Sequence, residues 1–169
     1  RLYAEDPAKG FLPSVGGLYN FMLPEAGDGV RVDTGVEDED EVTPFYDPMI
    51  AKLVFHAPDR TSAIRGLSDA CGEVECQPVR TNAWFLKRLL NDNDVRLGNV
   101  RTGLIGDRAE TLTRAPVPSE VSLQIAATSL GYDFVEGKHG DVWFDVIRKI
   151  RGFRLNRAAE DRYNLLVDG

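Results

Sequence analysis

Apolar side chains change their period along this chain, and each change marks an element. Residues 49–55, Met-Ile-Ala-Lys-Leu-Val-Phe, form a near-continuous apolar run of strand length. Residues 30–33 alternate instead, which puts Val30 and Val32 on one face of a strand and Arg31 and Asp33 on the other. Arg31 therefore need not enter the core. Gly16-Gly17 breaks the chain ahead of Leu18, Phe21 and Leu23, a short strand that Pro24 ends. Ala63, Ile64, Leu67, Ala70 and Cys71 fall at helical spacing, behind Asp59 as an N-cap and ahead of Gly72 as a stop. The spacing predicts an amphipathic helix lying on a sheet. Residues 74–79 return as a strand until Pro78 interrupts it, and Thr81 caps a second helix in which Phe85, Leu86, Leu89 and Leu90 cluster. These elements make an α+β unit.

From Asp107 the character changes. Arg114-Ala115-Pro116-Val117-Pro118 cannot continue a helix and reads as a connector, after which Ser119 with Glu120 starts a third helix running to about Leu130, before Gly131. Gly137-Lys138-His139-Gly140 is a loop. Residues 142–147 are apolar enough to be buried, and residues 163–167 alternate like a strand that ends on Asp168-Gly169, a hairpin turn with no return strand. Residues 141–169 hold too much apolar surface for a tail and too few residues for a core of their own. With Arg at position 1, the chain reads as a fragment of something longer.

Composition narrows the function classes. A length of 169 residues, 43% hydrophobic and 28% charged, suits one globular domain, or one of about 105 residues and part of another. No run approaches the ~18 apolar residues of a membrane-spanning helix, so a membrane partner is not expected. The formal charge of -7 argues against affinity for nucleic acid phosphates. Cys71 and Cys76 lie far in sequence from His56 and His139, which makes a metal site improbable and free thiols the expectation.

Several charged residues ask for partners. Residues 37–41 are five acids in a row and predict an exposed, solvated turn. Asp47 precedes the apolar run and Lys52 interrupts it, where an unpaired buried charge is costly; each either anchors backbone or pairs locally, or supports a site. Tyr46 reads as a core ring with a satisfied hydroxyl or as part of the same support. Arg31 is open to two readings, a strand-edge cation paired with Asp33 or the acidic run, and a functional guanidinium.

The set Arg1-Leu2-Tyr3-Ala4-Glu5-Asp6-Pro7, Phe11-Leu12-Pro13-Ser14, Arg31-Val32-Asp33-Thr34-Gly35 and residues 41–54 resembles the carboxyl-terminal domain of biotin carboxylase, in the form found in the biotin-carrying alpha subunits of acyl-CoA carboxylases. It covers residues 1–106. The resemblance implies a small antiparallel sheet with packed helices over 1–106, a linker with a helix over 107–140, and over 141–169 the start of a carboxyltransferase-docking domain. Gly152-Phe153-Arg154-Leu155-Asn156 resembles the entrance of that domain.

For chemistry, the resemblance implies an ATP-dependent ligase in the intact subunit. Arg31 matches the arginine that faces biotin and stabilises its ureido oxygen, with Asp33, Tyr46, Asp47 and Lys52 in support. Phe55, His56 and Arg60 match a region near a subunit contact. Biotin would arrive on a carrier domain outside this chain, and ATP, Mg and bicarbonate would be bound by upstream domains. None of the five lysines has the context of the family's biotinylation signal. The implied partners are the ATP-grasp part of the same subunit, the carrier domain and a carboxyltransferase beta subunit, with a homodimer as a further contact. The implied location is the bacterial cytoplasm or the mitochondrial matrix. The alternative is a module that mainly assembles subunits. One departure concerns the acidic turn, where the family has Gly before Asp and this chain has Glu39 before Asp40.

Overall fold

The computed structural model describes residues 1–133. The chain divides into two compact units, residues 1–116 and 117–169. The first unit carries strands β1 (Leu2–Tyr3), β2 (Glu5–Asp6), β3 (Leu12–Pro13), β4 (Gly16–Met22), β5 (Val30–Thr34), β6 (Glu41–Val42), β7 (Met49–Phe55) and β8 (Glu75–Pro78). They form small antiparallel sheets in the orders β1-β7-β5, β2-β3 and β6-β4-β8. Helices α1 (Arg60–Gly72) and α2 (Ala83–Leu90) pack on each other, and α1 lies on β7 and β5. This is the expected α+β arrangement.

Why β7 reads as a continuous apolar run is visible in what covers it. Ile50 joins Leu2, Leu18 and Val42 in one buried cluster, while Leu53 points the other way and meets Leu67, Cys71 and Leu86 around a small apolar cavity of 120 Å³. Both faces of β7 therefore carry buried apolar residues, so these do not alternate, although Met49 and Lys52 reach solvent. Leu2, Leu18 and Ile50 are fully buried, each contributing about 1.5–3 kcal/mol. On β5 the alternation holds: Val30 and Val32 are half-buried, and Arg31 and Asp33 are exposed.

Several element ends differ from expectation. Asp59 does cap α1, accepting from the Ser62 N–H at 3.0 Å. Gly72, however, is the last helical residue, and Glu73 ends the helix in right-handed geometry by donating to the Ala70 carbonyl. Thr81 does not hold the N-cap of α2; Asn82 does, and its side chain makes no cap bond. That amide is engaged in a tertiary contact: Oδ1 accepts from the Tyr3 N–H at 3.0 Å and Nδ2 donates to the Arg1 carbonyl at 3.4 Å. β8, by contrast, ends at Pro78 as expected, with Pro78 itself paired to Leu18. β8 is an edge strand, where a missing N–H is tolerated.

Three short helices, α3 (Asn93–Leu97), α4 (Leu104–Asp107) and α5 (Ala109–Leu112), were not signalled by periodicity. Helices of four or five residues are too short to show a period and are held by neighbours. Arg88 Nη1 donates to the carbonyls of Thr111, Leu112 and Arg114 at 3.0, 3.3 and 2.6 Å, and Arg108 bridges Asp92 and Asp94.

In the second unit, α6 (Glu120–Asp133) starts where Ser119 Oγ accepts from the Ser122 N–H at 3.1 Å. It runs through Gly131 rather than stopping before it. The loop at 137–140, the apolar segment 142–147, the strand at 163–167 and the turn at 168–169 all lie outside the described residues.

Candidate functional site

The exposed face of β5 and β7 gathers the charged residues singled out in the sequence. Arg31 and Asp33 are two apart on β5 and so share a face, and antiparallel register sets Asp33 opposite Lys52. Lys52 Nζ lies 2.9 Å from Asp33 Oδ2, and Arg31 Nε lies 3.4 Å from Asp33 Oδ1. The hydrogen bond from Lys52 holds the Asp33 carboxyl below the usual carboxylate range, with the Arg31 charge acting in the same direction. Asp33 thus stays a carboxylate serving two cations. The Arg31 side chain is 66% exposed, and among the described residues nothing engages its terminal nitrogens.

A cavity of about 530 Å³ is lined by two members of this triad, Asp33 and Lys52, together with Tyr46, Asp47 and others; Arg31 is not in its lining. Asp47 accepts from the Met49 N–H at 3.0 Å, so it anchors the turn into β7. The local roles expected for Asp47 and Lys52 are both present. Tyr46 is not a core ring: it is 85% exposed, next to Phe45 at 93%. The pair sits on the turn ahead of β7, where neither sheet face can cover it.

Glu5 was not singled out, yet burial and then the Asp47 charge raise its pKa. Arg1, Val36, Glu41 and Met49 also line the cavity. They come from separate segments of the chain, Glu41 and Met49 from strands and Arg1 and Val36 from outside them, and leave no spacing to read.

Phe55, His56 and Arg60 lie elsewhere. The Phe55 ring packs where a Cβ on Gly66 would be, 2.2 Å away, and Arg60 donates to the carbonyls of Val95 and Arg96 at 2.7 and 3.4 Å. His56 is exposed. Arg60 therefore closes the end of α3 within the chain. Cys71 and Cys76 are both free, and burial pushes both thiols up, away from nucleophilic character. Among the described residues no three His, Cys, Asp or Glu side chains come together as a metal site, and no helix is long and apolar enough to cross a membrane.

The acidic turn is exposed but ordered. Asp38 Oδ1 accepts from the Phe21 N–H at 2.9 Å and Asp40 Oδ2 from the Glu37 N–H at 2.7 Å. Glu39 takes a left-handed φ of 74°. The turn geometry that glycine serves is kept, with a side chain in it.

A family model described as the biotin carboxylase C-terminal domain matches residues 1–107. The chain belongs to this family. The mitochondrial methylcrotonoyl-CoA carboxylase subunit alpha of Dictyostelium discoideum is 45% identical over 131 residues, 77% of this chain and 19% of that protein. The biotin carboxylase of Halalkalibacterium halodurans is 38% identical over 113 residues, 67% of this chain and 25% of that one. Among solved structures, the biotin carboxylase domain dimer of Hydrogenobacter thermophilus 2-oxoglutarate carboxylase, in complex with MgADP, ADP and bicarbonate, superposes with a TM-score of 0.65. It is 34% identical, over 69% of this chain and 25% of that one. The chain thus spans a quarter or less of each of these relatives. Both the resemblance read from the sequence and the expected α+β biotin carboxylase C-terminal domain are borne out.

Proposed function

We propose that this biotin carboxylase C-terminal domain supplies one wall of an active site in which carrier-bound biotin is carboxylated at the expense of ATP and bicarbonate. The observation that carries the reading is the disposition of Arg31: exposed on β5, with its terminal nitrogens turned to no described partner, and joined through Nε to Asp33, which with Lys52 lines the 530 Å³ cavity. Biotin supplies the ureido group that accepts the carboxylate. Arg31 binds the ureido oxygen as negative charge develops there, because a guanidinium is permanently charged and presents paired donors. Asp33, held as a carboxylate by Lys52, orients the arginine, and Asp47 fixes the turn that carries Tyr46 to the cavity rim.

ATP, Mg and bicarbonate would be held by an ATP-grasp part of the same subunit, with a carrier domain and a carboxyltransferase subunit as further partners. Residues 1–106 would be the domain itself, 107–140 a linker and 141–169 the start of a docking domain. The location would be the mitochondrial matrix, as the name of the Dictyostelium relative states for that protein, or the bacterial cytoplasm.

The test is Arg31→Gln in the full-length subunit. Biotin carboxylation should fall about a hundredfold or more, the scale of losing one oxyanion donor, with the KM for ATP unchanged. Equal turnover of biotin by wild type and variant would overturn the assignment. The 169-residue chain alone should show no bicarbonate-dependent ATP cleavage.

A further inference from the structure

On the side of the β1-β7-β5 sheet away from Arg31, α1, α2 and α3 enclose a separate polar pocket of about 380 Å³. Its wall carries Arg65, Lys87 and Arg96 against one carboxylate, Asp69. Among the described residues none of these cations lies within ion-pair distance of an acid. Three like charges around one groove repel each other, and an excess of positive charge is out of keeping with a chain of net charge -7. The floor is built as well as charged. Ser68 is only 4% exposed, and its Oγ accepts from Asn91 Nδ2 at 2.8 Å, which leaves the hydroxyl proton to donate. Asn91 Nδ2 also donates to the Lys87 carbonyl at 2.8 Å, which fixes the amide between α1 and α2. Arg60 ties down the carbonyl of Arg96 from the other side.

We infer that this pocket binds a phosphate-class dianion. The net charge of its walls is two positive, which a dianion neutralises and a single carboxylate would not. Cations from three helices lining one pocket suit a tetrahedral group with several acceptor oxygens, and guanidinium forks pair with such oxygens two at a time. The volume lies in the range of small-ligand sites, about 300–1,000 Å³, so it holds more than a bare phosphate. The site does not depend on the role given to Arg31, since α1 and the sheet stand between them.

The experiment is an amide NMR titration of the 169-residue chain with sodium pyrophosphate and, separately, orthophosphate, at ionic strength held constant with chloride. Pyrophosphate should give saturable shifts confined to residues 61–69 and 87–96, with a Kd below about 1 mM. Lys87→Gln and Arg96→Gln should each weaken it about tenfold, the scale of one charge-assisted hydrogen bond, while Lys9→Gln changes nothing. Saturation by orthophosphate as well identifies free phosphate as sufficient; saturation by pyrophosphate alone identifies a phosphoryl group carried on a larger molecule. Shifts that fail to saturate by roughly 10 mM, or that persist unchanged in both variants, overturn the site.

Discussion

Asp33 and Lys52 face each other across β5 and β7, with carboxylate oxygen and ammonium nitrogen 2.9 Å apart. The same carboxylate touches Arg31, so one acid is shared between a cross-strand cation and a cation on its own strand. Because the folded pKa of Asp33 is depressed, chiefly by the Lys52 hydrogen bond, the pair's contribution is present above the ordinary carboxylate range and is lost as pH falls through the folded value. In a carbon-detected titration Asp33 should therefore ionise below the ordinary aspartate value of 3.8. Lys52→Met should move the midpoint up, and an unchanged midpoint would show that the hydrogen bond does not form in solution.

The sharing also sets what Lys52 does for Arg31. Without the ammonium, Asp33 has one remaining cation, and Arg31 is held more firmly against it. In the full-length subunit Lys52→Met should lower kcat for biotin carboxylation about tenfold with the KM for ATP unchanged, part of the ~10²–10³ of a whole oxyanion donor. Adding Asp33→Asn should recover part of the loss, because the amide oxygen still accepts from Arg31 and orients it without the full opposing charge. A double variant as slow as Lys52→Met would mean that Lys52 acts by some other route.

Glu39 occupies its left-handed conformation because both sides of the turn are tied to β4. Its N–H donates to the Leu18 carbonyl at 2.8 Å, and the Asp40 carbonyl accepts from the Leu18 N–H at 2.7 Å. A side chain there costs about 1–2 kcal/mol, partly offset by the greater freedom of an unfolded glycine, about 0.4–1 kcal/mol. Glu39→Gly should stabilise the chain by about 0.5–1 kcal/mol in urea unfolding. A loss of stability would show that the carboxylate, not the backbone, decides this position.

Gly66 sits mid-helix in α1, where alanine would gain about 1 kcal/mol of propensity. A Cβ there would lie 2.2 Å from the Phe55 ring, and that ring also approaches Gly29. Overpacking costs about 1–3 kcal/mol, so Gly66→Ala should destabilise by about 1 kcal/mol net. A more stable variant would mean that the ring simply swings aside.

What the sequence showed follows from local rules. The β7 run, the β5 alternation and the Asp59 cap were legible because burial periodicity and capping are set by neighbours in sequence. Arg31 and Asp33 could be placed on one face for the same reason, and the spaced motifs of residues 1–54 marked the family.

The register that brings Lys52 to Asp33 was decided by strand pairing between segments about twenty residues apart, and no local period encodes it. No local pattern marks Asn82, yet the fold engages it on Tyr3 and Arg1, far away in sequence. Tyr46 looked buriable, but the sheets left its turn uncovered. The polar pocket between α1, α2 and α3 has the same origin: Arg65, Lys87 and Arg96 are unremarkable one at a time and become a charged enclosure only when three helices meet. Sequence by itself determined the elements and the family, because those depend on side-chain pattern; tertiary structure decided which charges meet, because electrostatic contact depends on distance through space.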